Sequence, residues 1–408
     1  MSKQLVVIGG GAAGFFCAVN AARLNPELRV TILEKSSQLL AKVRISGGGR
    51  CNLTHACTAI SEMSLEYPRG NHFVKKAFHR FFVSDTIQWF TERGVPLKTE
   101  ADGRMFPASD QSASVIDCLL KEANRFRVEI RMKAEVIRLI REHDRFTVFC
   151  RDGRSVPADF VCVAAGGYPR SDMFDWLRLL GHTIEPPVPS LFTFNLPGHP
   201  ITQLMGVSVS NARVRIPGTK LDQTGPVLIT HWGLSGPAVL RVSAWGARWL
   251  AEQHWQFTAV VNWLGEQTEQ GFTAELQTCR RELAGQKIRN KNPFGLPARL
   301  WEYLLQEAAV GDEQRWADLP GRELNRLVKC CCHYELSVKG KTGFKEEFVT
   351  AGGIRLTEVD PQTMQSRRVH GLFFAGELLD VDGVTGGYNF QHAWTSGFIA
   401  AEAIAQSS

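Results

Sequence analysis

The sequence predicts an α/β protein. Parallel strands, crossover helices and a β-meander form one unit, interrupted by an inserted domain that is β-barrel-like with a helical segment. Three observations carry this reading. Within the first 35 residues an apolar strand, a glycine turn, an alanine-rich helical stretch and a second strand follow in order. At Pro186-Pro187-Val188-Pro189 that alternation gives way to short runs punctuated by proline and glycine, and later to helical periodicity. Near the end of the 408-residue chain, an apolar strand, a glycine-dense loop and a helix return.

The first element is Leu5-Val6-Val7-Ile8, which runs into Gly9, with Gly11 and Gly14 completing G-x-G-x-x-G. In a strand-to-helix turn the first glycine permits the tight bend and the second lets a pyrophosphate approach. The third lets helix and strand pack closely. The following helix directs free N–H groups and a positive dipole end at the phosphates. The second strand, residues 30–33, ends at Glu34, 20 residues past Gly14 and placed to accept hydrogen bonds from ribose hydroxyls. Strand, helix, strand and acid in this order predict a Rossmann-like dinucleotide site. Residues 5–22 also look like a signal-peptide core or a membrane span. Four glycines and Asn20 interrupt them, and the acid-ended strand follows at once, so a soluble, cytoplasmic protein is expected.

The remaining elements follow in order. Residues 46–52 (SGGGRCN) form a loop of high glycine density. A helix is expected over 109–126, with Val115, Ile116, Leu119, Leu120 and Ala123 on one face, and a strand over 128–132. Residues 134–140 and 146–150 read as a meander turning at Asp152-Gly153. The continuous apolar run 160–165 ends in Gly166-Gly167, as a buried parallel strand would. Beyond it a helix ending near Gly181 is expected. The resulting domains are 1–189 and 349–408 for the nucleotide unit and 190–348 for the insertion, helical over about 271–332.

A hydrophobic content of 44% and a charged content of 22% exclude a disordered or fibrous chain. The ten cysteines form no C-x-x-C pair, and Cys330-Cys331-Cys332 are consecutive, which fits reduced thiols better than disulfides or a zinc site. The net charge of +6 is concentrated: Arg280, Arg281, Lys287, Arg289, Lys291 and Arg299 stand against Glu282 alone within residues 280–299. This run is either a solvated helical face or an electropositive surface for RNA.

At the C-terminal end, residues 371–377 (GLFFAGE) are a buried strand delivering Gly376 and Glu377 to a loop. Residues 380–391 (DVDGVTGGYNFQ) then lead into a helix expected over 393–403. Together with the N-terminal fingerprint this is similar to the two-part FAD site of glutathione-reductase-like and fumarate-reductase-like flavoproteins. More specifically, the chain resembles the YhiN/BaiN/aminoacetone-oxidase-like family of FAD-dependent oxidoreductases over nearly its whole length. The matching motifs are SGGGRCN, Gly103-Arg104-x-Phe106-Pro107-x-Ser109, residues 230–238 (THWGLSGPA), Thr350-x-Gly352-Gly353 and the GE…DG…GGYNFQ ending. Two stretches depart from the family pattern, Leu40-Ala41-Lys42 before SGGGRCN and residues 168–172 after Gly166-Gly167.

The resemblance implies a Rossmann-like FAD-binding domain with non-covalent FAD. It assigns to the cofactor Gly9, Gly11, Ala13, Gly14, Glu34, Lys35, Ser46, Gly47, Gly48, Arg50, Asn52, Val136, Ala165, Gly166, Gly376, Glu377, Gly387, Tyr388 and Asn389. It also implies that Glu377 binds the ribityl chain and that the last helix aims its positive end at the flavin pyrimidine ring.

Only one nucleotide fingerprint is present, so electrons reach the flavin from transiently bound NAD(P)H or from the substrate itself. Acid–base candidates are Cys51, beside Arg50 and therefore expected to be acidified, and His231 and His392. For each the alternative is a packing role. Three functions follow: reduction of an activated C=C bond, extending through the resemblance to bile-acid enones and to uracil in ribosomal RNA; oxidation of a small amine such as aminoacetone; or a non-enzymatic flavin-bearing RNA-binding protein. The loop 230–238 is expected on the substrate side.

Overall fold

The structure, a computed structural model, describes residues 2–342 and 349–408. Its chain forms two compact units, Met1–Ser190 with Phe344–Ser408, and Leu191–Gly343. The expected boundary at 348 lies outside the described residues.

The first unit is built on a five-stranded sheet in the order Leu372–Phe374, Phe160–Val163, Gln4–Ile8, Arg29–Leu33, Glu129–Arg131. All its pairings are parallel. Helices cover both faces of such a sheet, which is why its strands are apolar on both sides. Leu5, Val6, Val7, Val161, Cys162 and Val163 are all wholly buried. Each such Val or Leu stabilises the fold by roughly 1.5–3 kcal/mol relative to an exposed one.

The helix Ala12–Leu24 packs against the C-terminal helix Tyr388–Ser407. Small residues allow close approach, since a Cβ on Gly397 would stand 2.6 Å from the Ala13 carbonyl oxygen. The meander pairs Val136–Glu142, Arg145–Cys150 and Ser155–Ala158. Its first turn is at His143-Asp144, both left-handed, and the Asp152-Gly153 turn joins the second strand to the third.

Several elements differ from expectation. The proline cluster is itself in a strand, Ile184–Ser190, antiparallel to Val349–Ile354. A bulge between Glu185 and Val188 accommodates prolines that cannot donate to a ladder. The helix expected over 109–126 spans Ser112–Arg125. The helix expected to end near Gly181 is a 3₁₀ turn, Ser171–Phe174, followed by the single turn Asp175–Arg178. The C-terminal helix starts five residues early, at Tyr388, because Gly387 turns the chain with φ +93. Burial of Tyr388 and His392 then outweighs their modest helix propensity.

The second unit holds a seven-stranded sheet whose consecutive pairings are antiparallel. Its order is Tyr334–Lys339, Gln256–Asn262, Ser208–Arg215, Asp222–Thr230, Gly233–Ser235, Thr193–Asn195, Lys341–Thr342. The two outer strands belong to one continuous segment, 334–342, so the sheet curls toward a barrel. Helices Pro237–Trp245 and Ala247–Glu252 interrupt what periodicity presents as all β. The helical part consists of Glu269–Glu282, Ala298–Glu307 and Gly321–Cys332, packed around Trp301 and Trp316. No helix among the described residues is long and apolar enough to cross a membrane.

Candidate cofactor site

The glycine loop has the geometry its spacing implies. Gly9 has φ +113 and donates its N–H to the Leu33 carbonyl at 2.8 Å. A Cβ on Gly14 would lie 1.9 Å from the Gly9 carbonyl oxygen, so only glycine lets the helix start this close to the strand. Around a Cβ built on Gly11 there is no heavy atom within 4 Å. That open space lies at a helix start whose first turn holds no acid, which suits a pyrophosphate.

Glu34 bridges the loop and its own strand end, its carboxylate accepting from Gly10 N–H at 2.8 Å and Ser36 N–H at 2.7 Å. Each oxygen retains a further lone pair for a ribose hydroxyl. The Glu34 carbonyl accepts from Ala134 N–H at 2.8 Å, which brings the meander start with Val136 beside it. Lys35 lies 5.7 Å from the Tyr168 ring, two residues past Gly166. Ala165 abuts the loop, its Cα 2.9 Å from where a Gly9 Cβ would be.

The second acid is equally well held. Glu377 accepts from Thr350 N–H at 2.9 Å and pairs with Lys42 at 2.5 Å. Gly376 N–H donates to Ser396 Oγ at 2.9 Å, and the Gly376 carbonyl meets His392 Nε2 at 3.2 Å. Lys42, which falls in a stretch that departs from the family pattern, thereby acquires a partner at the site.

Three motifs distant in sequence converge next to it. Residues Gly47, Gly48, Gly49 and Cys51 are all left-handed, and Cys51 N–H returns to the Ser46 carbonyl at 2.9 Å. The chain then pairs with Gly103–Pro107: Leu53 N–H donates to Met105 O at 2.9 Å, and Ala56 N–H to Gly103 O at 2.8 Å. In the orientation that satisfies both its groups, the Asn52 amide donates to Thr54 O at 3.2 Å and accepts from Gly387 N–H at 3.0 Å. Asn52 therefore ties SGGGRCN to the start of the C-terminal helix.

The loop before that helix is held by residues that no motif marks. Asp382, wholly buried, forms a two-toothed ion pair with Arg69 and accepts from Ser190 Oγ at 2.8 Å. Burial pushes the Asp382 carboxyl up and the Arg69 guanidinium opposes it. Tyr67 Oη donates to the Tyr388 carbonyl at 2.6 Å, and His55 stacks on the Tyr388 ring at 4.9 Å. The Asn389 amide exchanges two hydrogen bonds of 2.8 Å with the Gly383 backbone. Nothing local in the sequence announces Tyr67, Arg69 or His55 as partners. The acid Asp382 within DVDG is the one clue, since a buried carboxylate needs a partner.

The acid–base candidates take different forms from those expected. Arg50 does not acidify Cys51. Its guanidinium pairs with Glu100 at 2.6 Å and stacks 4.0 Å from the Phe106 ring, while Cys51 is wholly buried. Desolvation pushes the thiol up to about 12, against a weaker lowering by its hydrogen bond with Ser46. Burial likewise lowers His392 to about 4, so its imidazole is neutral at pH 7. His231 is exposed on the hairpin between Asp222–Thr230 and Gly233–Ser235, edge-on to Trp232 at 4.2 Å.

The basic run is also rearranged. Lys287 pairs with Glu313 at 2.6 Å, and Arg289 with Glu302 at 3.3 Å and Asp312 at 3.0 Å. Arg299 donates to the Gln203 and Met205 carbonyls. These acids follow the run in sequence, which hides the neutralisation from a window of residues 280–299.

The residues present fit FAD: an open phosphate loop, an acid at each half of the site and a second helix start with no acid in its first turn. The HI0933-like protein Rossmann domain profile matches residues 3–403. A 3-dehydro-bile acid delta(4,6)-reductase of Clostridium scindens is 32% identical, with 99% of each chain covered. A ribosomal RNA dihydrouridine synthase of Escherichia coli is 29% identical, covering 97% of this chain and 96% of that one. Among solved structures, a 3-ketosteroid-delta4-(5alpha)-dehydrogenase of Rhodococcus jostii has a TM-score of 0.51 at 14% identity, covering 98% and 97%. A quinol fumarate reductase of Escherichia coli has a TM-score of 0.51 at 16% identity, covering 100% and 70%. At these identities the structural likeness is one of fold alone. With the profile matching nearly end to end on a site built for FAD, the chain belongs to the HI0933-like family of FAD-dependent oxidoreductases.

Proposed function

We propose that this oxidoreductase reduces a C=C bond conjugated to a carbonyl, and that its substrate is a uridine of ribosomal RNA. The observation that supports the reductive direction is the start of the C-terminal helix. Asn52, Tyr67 and Asn389 hold it, and no acid in its first turn opposes the positive dipole end. When bound, FAD would supply hydride chemistry, passing a hydride equivalent from NAD(P)H to the β-carbon, and a proton to the α-carbon would complete the addition.

The phosphate loop and Glu34 would hold the adenosine half of FAD, without a covalent link. Glu377, with Lys42 and Thr350, would hold the ribityl side. Cys51 and His392 each keep one protonation state across the neutral range, and we assign them positioning roles. Cys51 fills a left-handed turn under the glycine loop, and His392 fixes the Gly376 carbonyl. His231 is the remaining candidate proton donor. Cys51→Ala should therefore keep product formation within about tenfold, whereas removing a true general acid costs roughly 10²–10⁴-fold.

The RNA substrate is supported by the relatives named for ribosomal RNA. It is also supported by the charge of residues 191–343, where 17 Lys and Arg stand against 13 Asp and Glu. Acting on ribosomal RNA would place the protein in the cytoplasm. Deleting the gene and mapping dihydrouridine in ribosomal RNA tests the substrate: loss at a defined site is expected, and an unchanged map sinks it. Anaerobic mixing tests the direction. NADH or NADPH should bleach the yellow protein, whereas bleaching by aminoacetone alone would make it an amine oxidase.

A further inference from the structure

The RNA substrate proposed above needs a surface for its phosphates, and the middle of the contiguous basic run, Lys287 and Arg289, is paired with acids. We propose that the phosphate-binding face is instead the outer side of helix Gly321–Cys332, together with the last turn of helix Glu269–Glu282. Its occupant is the sugar–phosphate backbone of RNA.

The outer side of Gly321–Cys332 carries Arg322, Arg326 and Lys329, at i, i+4 and i+7 and so on one stripe. The opposite stripe, Leu324, Leu327, Val328, Cys331 and Cys332, is buried. None of the three cations makes an ion pair among the described residues, unlike Lys287 and Arg289. Two features of this stripe work against folding. Arg322 and Arg326 are like charges one turn apart, and Arg322 lies in the first turn, where the helix dipole disfavours a cation. The acid of this helix, Glu323, is on its flank rather than between them.

The neighbouring helix contributes two more cations. Segments 284–288 and 314–318 run side by side, with Ile288 N–H donating to Gln314 O at 2.9 Å and Trp316 N–H to Gln286 O at 3.0 Å. This brings the end of Glu269–Glu282 next to the start of Gly321–Cys332. There Arg280 is held by Gln277 at 3.3 Å and the Ala317 carbonyl at 3.4 Å, and Arg281 by Thr278 at 3.3 Å. Neither meets a carboxylate among the described residues, although Glu282 is adjacent in sequence and Asp318 follows Ala317. Arg280 and Arg281 thus lie toward the start of the stripe, and the acids near these five cations are Glu282, Asp318, Glu323 and, beside Cys330, Glu307.

The chemistry selects the partner. A protein-binding surface centres on apolar and aromatic side chains that are buried on contact. The outer stripe has only cations, Asn325 and the half-buried Cys330. Guanidinium forks match phosphate oxygens two at a time. A surface dominated by cations fits a polyanion whose bound counterions are released on contact.

The test uses the FAD-loaded full chain and purified ribosomal RNA, with affinity measured as salt is varied. Arg322→Ala/Arg326→Ala/Lys329→Ala should weaken binding about tenfold or more near physiological salt. It should also reduce the log–log salt slope by about 2–3. Lys287→Ala/Arg289→Ala should stay within about twofold of the parent in the same titration. Unchanged FAD content certifies the flavin unit of the triple variant, and an unchanged circular dichroism spectrum and denaturation midpoint certify the unit that carries the substitutions. If the parent binds and the triple variant binds equally, the surface is wrong while the RNA reading stands. If the parent itself binds no ribosomal RNA, both fall. Competition by polyglutamate as effective as by RNA would mark the face as one for acidic proteins and overturn the assignment.

Discussion

Two helices of the flavin unit start at glycine turns, Ala12–Leu24 after Gly11 and Tyr388–Ser407 after Gly387, and they are held in opposite ways. Around the first, the main constraints come from within 35 residues: the Gly9 N–H on Leu33, the fit of Gly14 against Gly9, and Glu34 reaching back to Gly10. Its remote neighbours are the Ala164–Ala165 backbone and the C-terminal helix, where Gly397 meets Ala13. Around the second, the holding groups come from Asn52, Tyr67, Arg69 and Ser190, far away along the chain. A local motif is rigid wherever it is placed. A loop clamped from three distant segments is shaped only when the whole unit folds, so damage to the two starts should differ in kind.

The largest expected effect is on the remote clamp. Asp382→Ala leaves the Arg69 guanidinium, 10% exposed, without its partner. Breaking a buried pair in this way costs about 3–5 kcal/mol. Chemical denaturation should show that loss in the protein even without FAD, and a change under about 1 kcal/mol would mean the loop does not depend on the pair.

The next effect is on pH dependence, and it also belongs to the C-terminal helix. The folded His392 pKa is lowered to about 4 from an ordinary 6.5, because burial disfavours the cation. Its contribution is complete above pH 6.5. As pH falls through 6.5 toward 4 the unfolded chain takes up a proton that the folded chain does not, and stability drops. The full difference is about 3 kcal/mol. Denaturation at a series of pH values should show the drop in the parent and its flattening in His392→Gln. An equal drop in both would place the titration elsewhere.

Glu34→Ala probes the local motif. It removes an acceptor for ribose and should weaken FAD retention by about 1.5–3 kcal/mol, with cofactor-free stability changing less than for Asp382→Ala. Titration of FAD into the cofactor-free protein reads this, and equal losses in binding and in stability would erase the contrast. The smallest effect is expected for Tyr67→Phe. It removes one hydrogen bond to the Tyr388 carbonyl and should cost about 0.5–1.5 kcal/mol, seen as a small shift in denaturation midpoint.

The same contrast explains what was legible. The parallel sheet, the glycine turn and the acids Glu34 and Glu377 are announced by adjacent residues, because a continuous apolar run, a left-handed turn and a strand-end acid are short-range requirements. The proline cluster misleads, since a bulged strand that tolerates proline looks like a linker when its partner, Val349–Ile354, lies far along the chain. Arg50 misleads for a similar reason: adjacency suggests that it faces Cys51, but left-handed turns on either side send it to Glu100 and Phe106. The basic run reads as a patch until Glu302, Asp312 and Glu313 fold back onto it.

By itself, the sequence determined the α/β class and the dinucleotide fingerprint, because backbone sterics and hydrophobic periodicity act within a few residues. Only the tertiary structure decided which charges are paired, which thiol and imidazole are buried, and which cations are left facing water. Desolvation and Coulomb energies depend on what surrounds a group in space, and for Cys51, His392, Asp382 and Lys287 that environment comes largely from other parts of the chain.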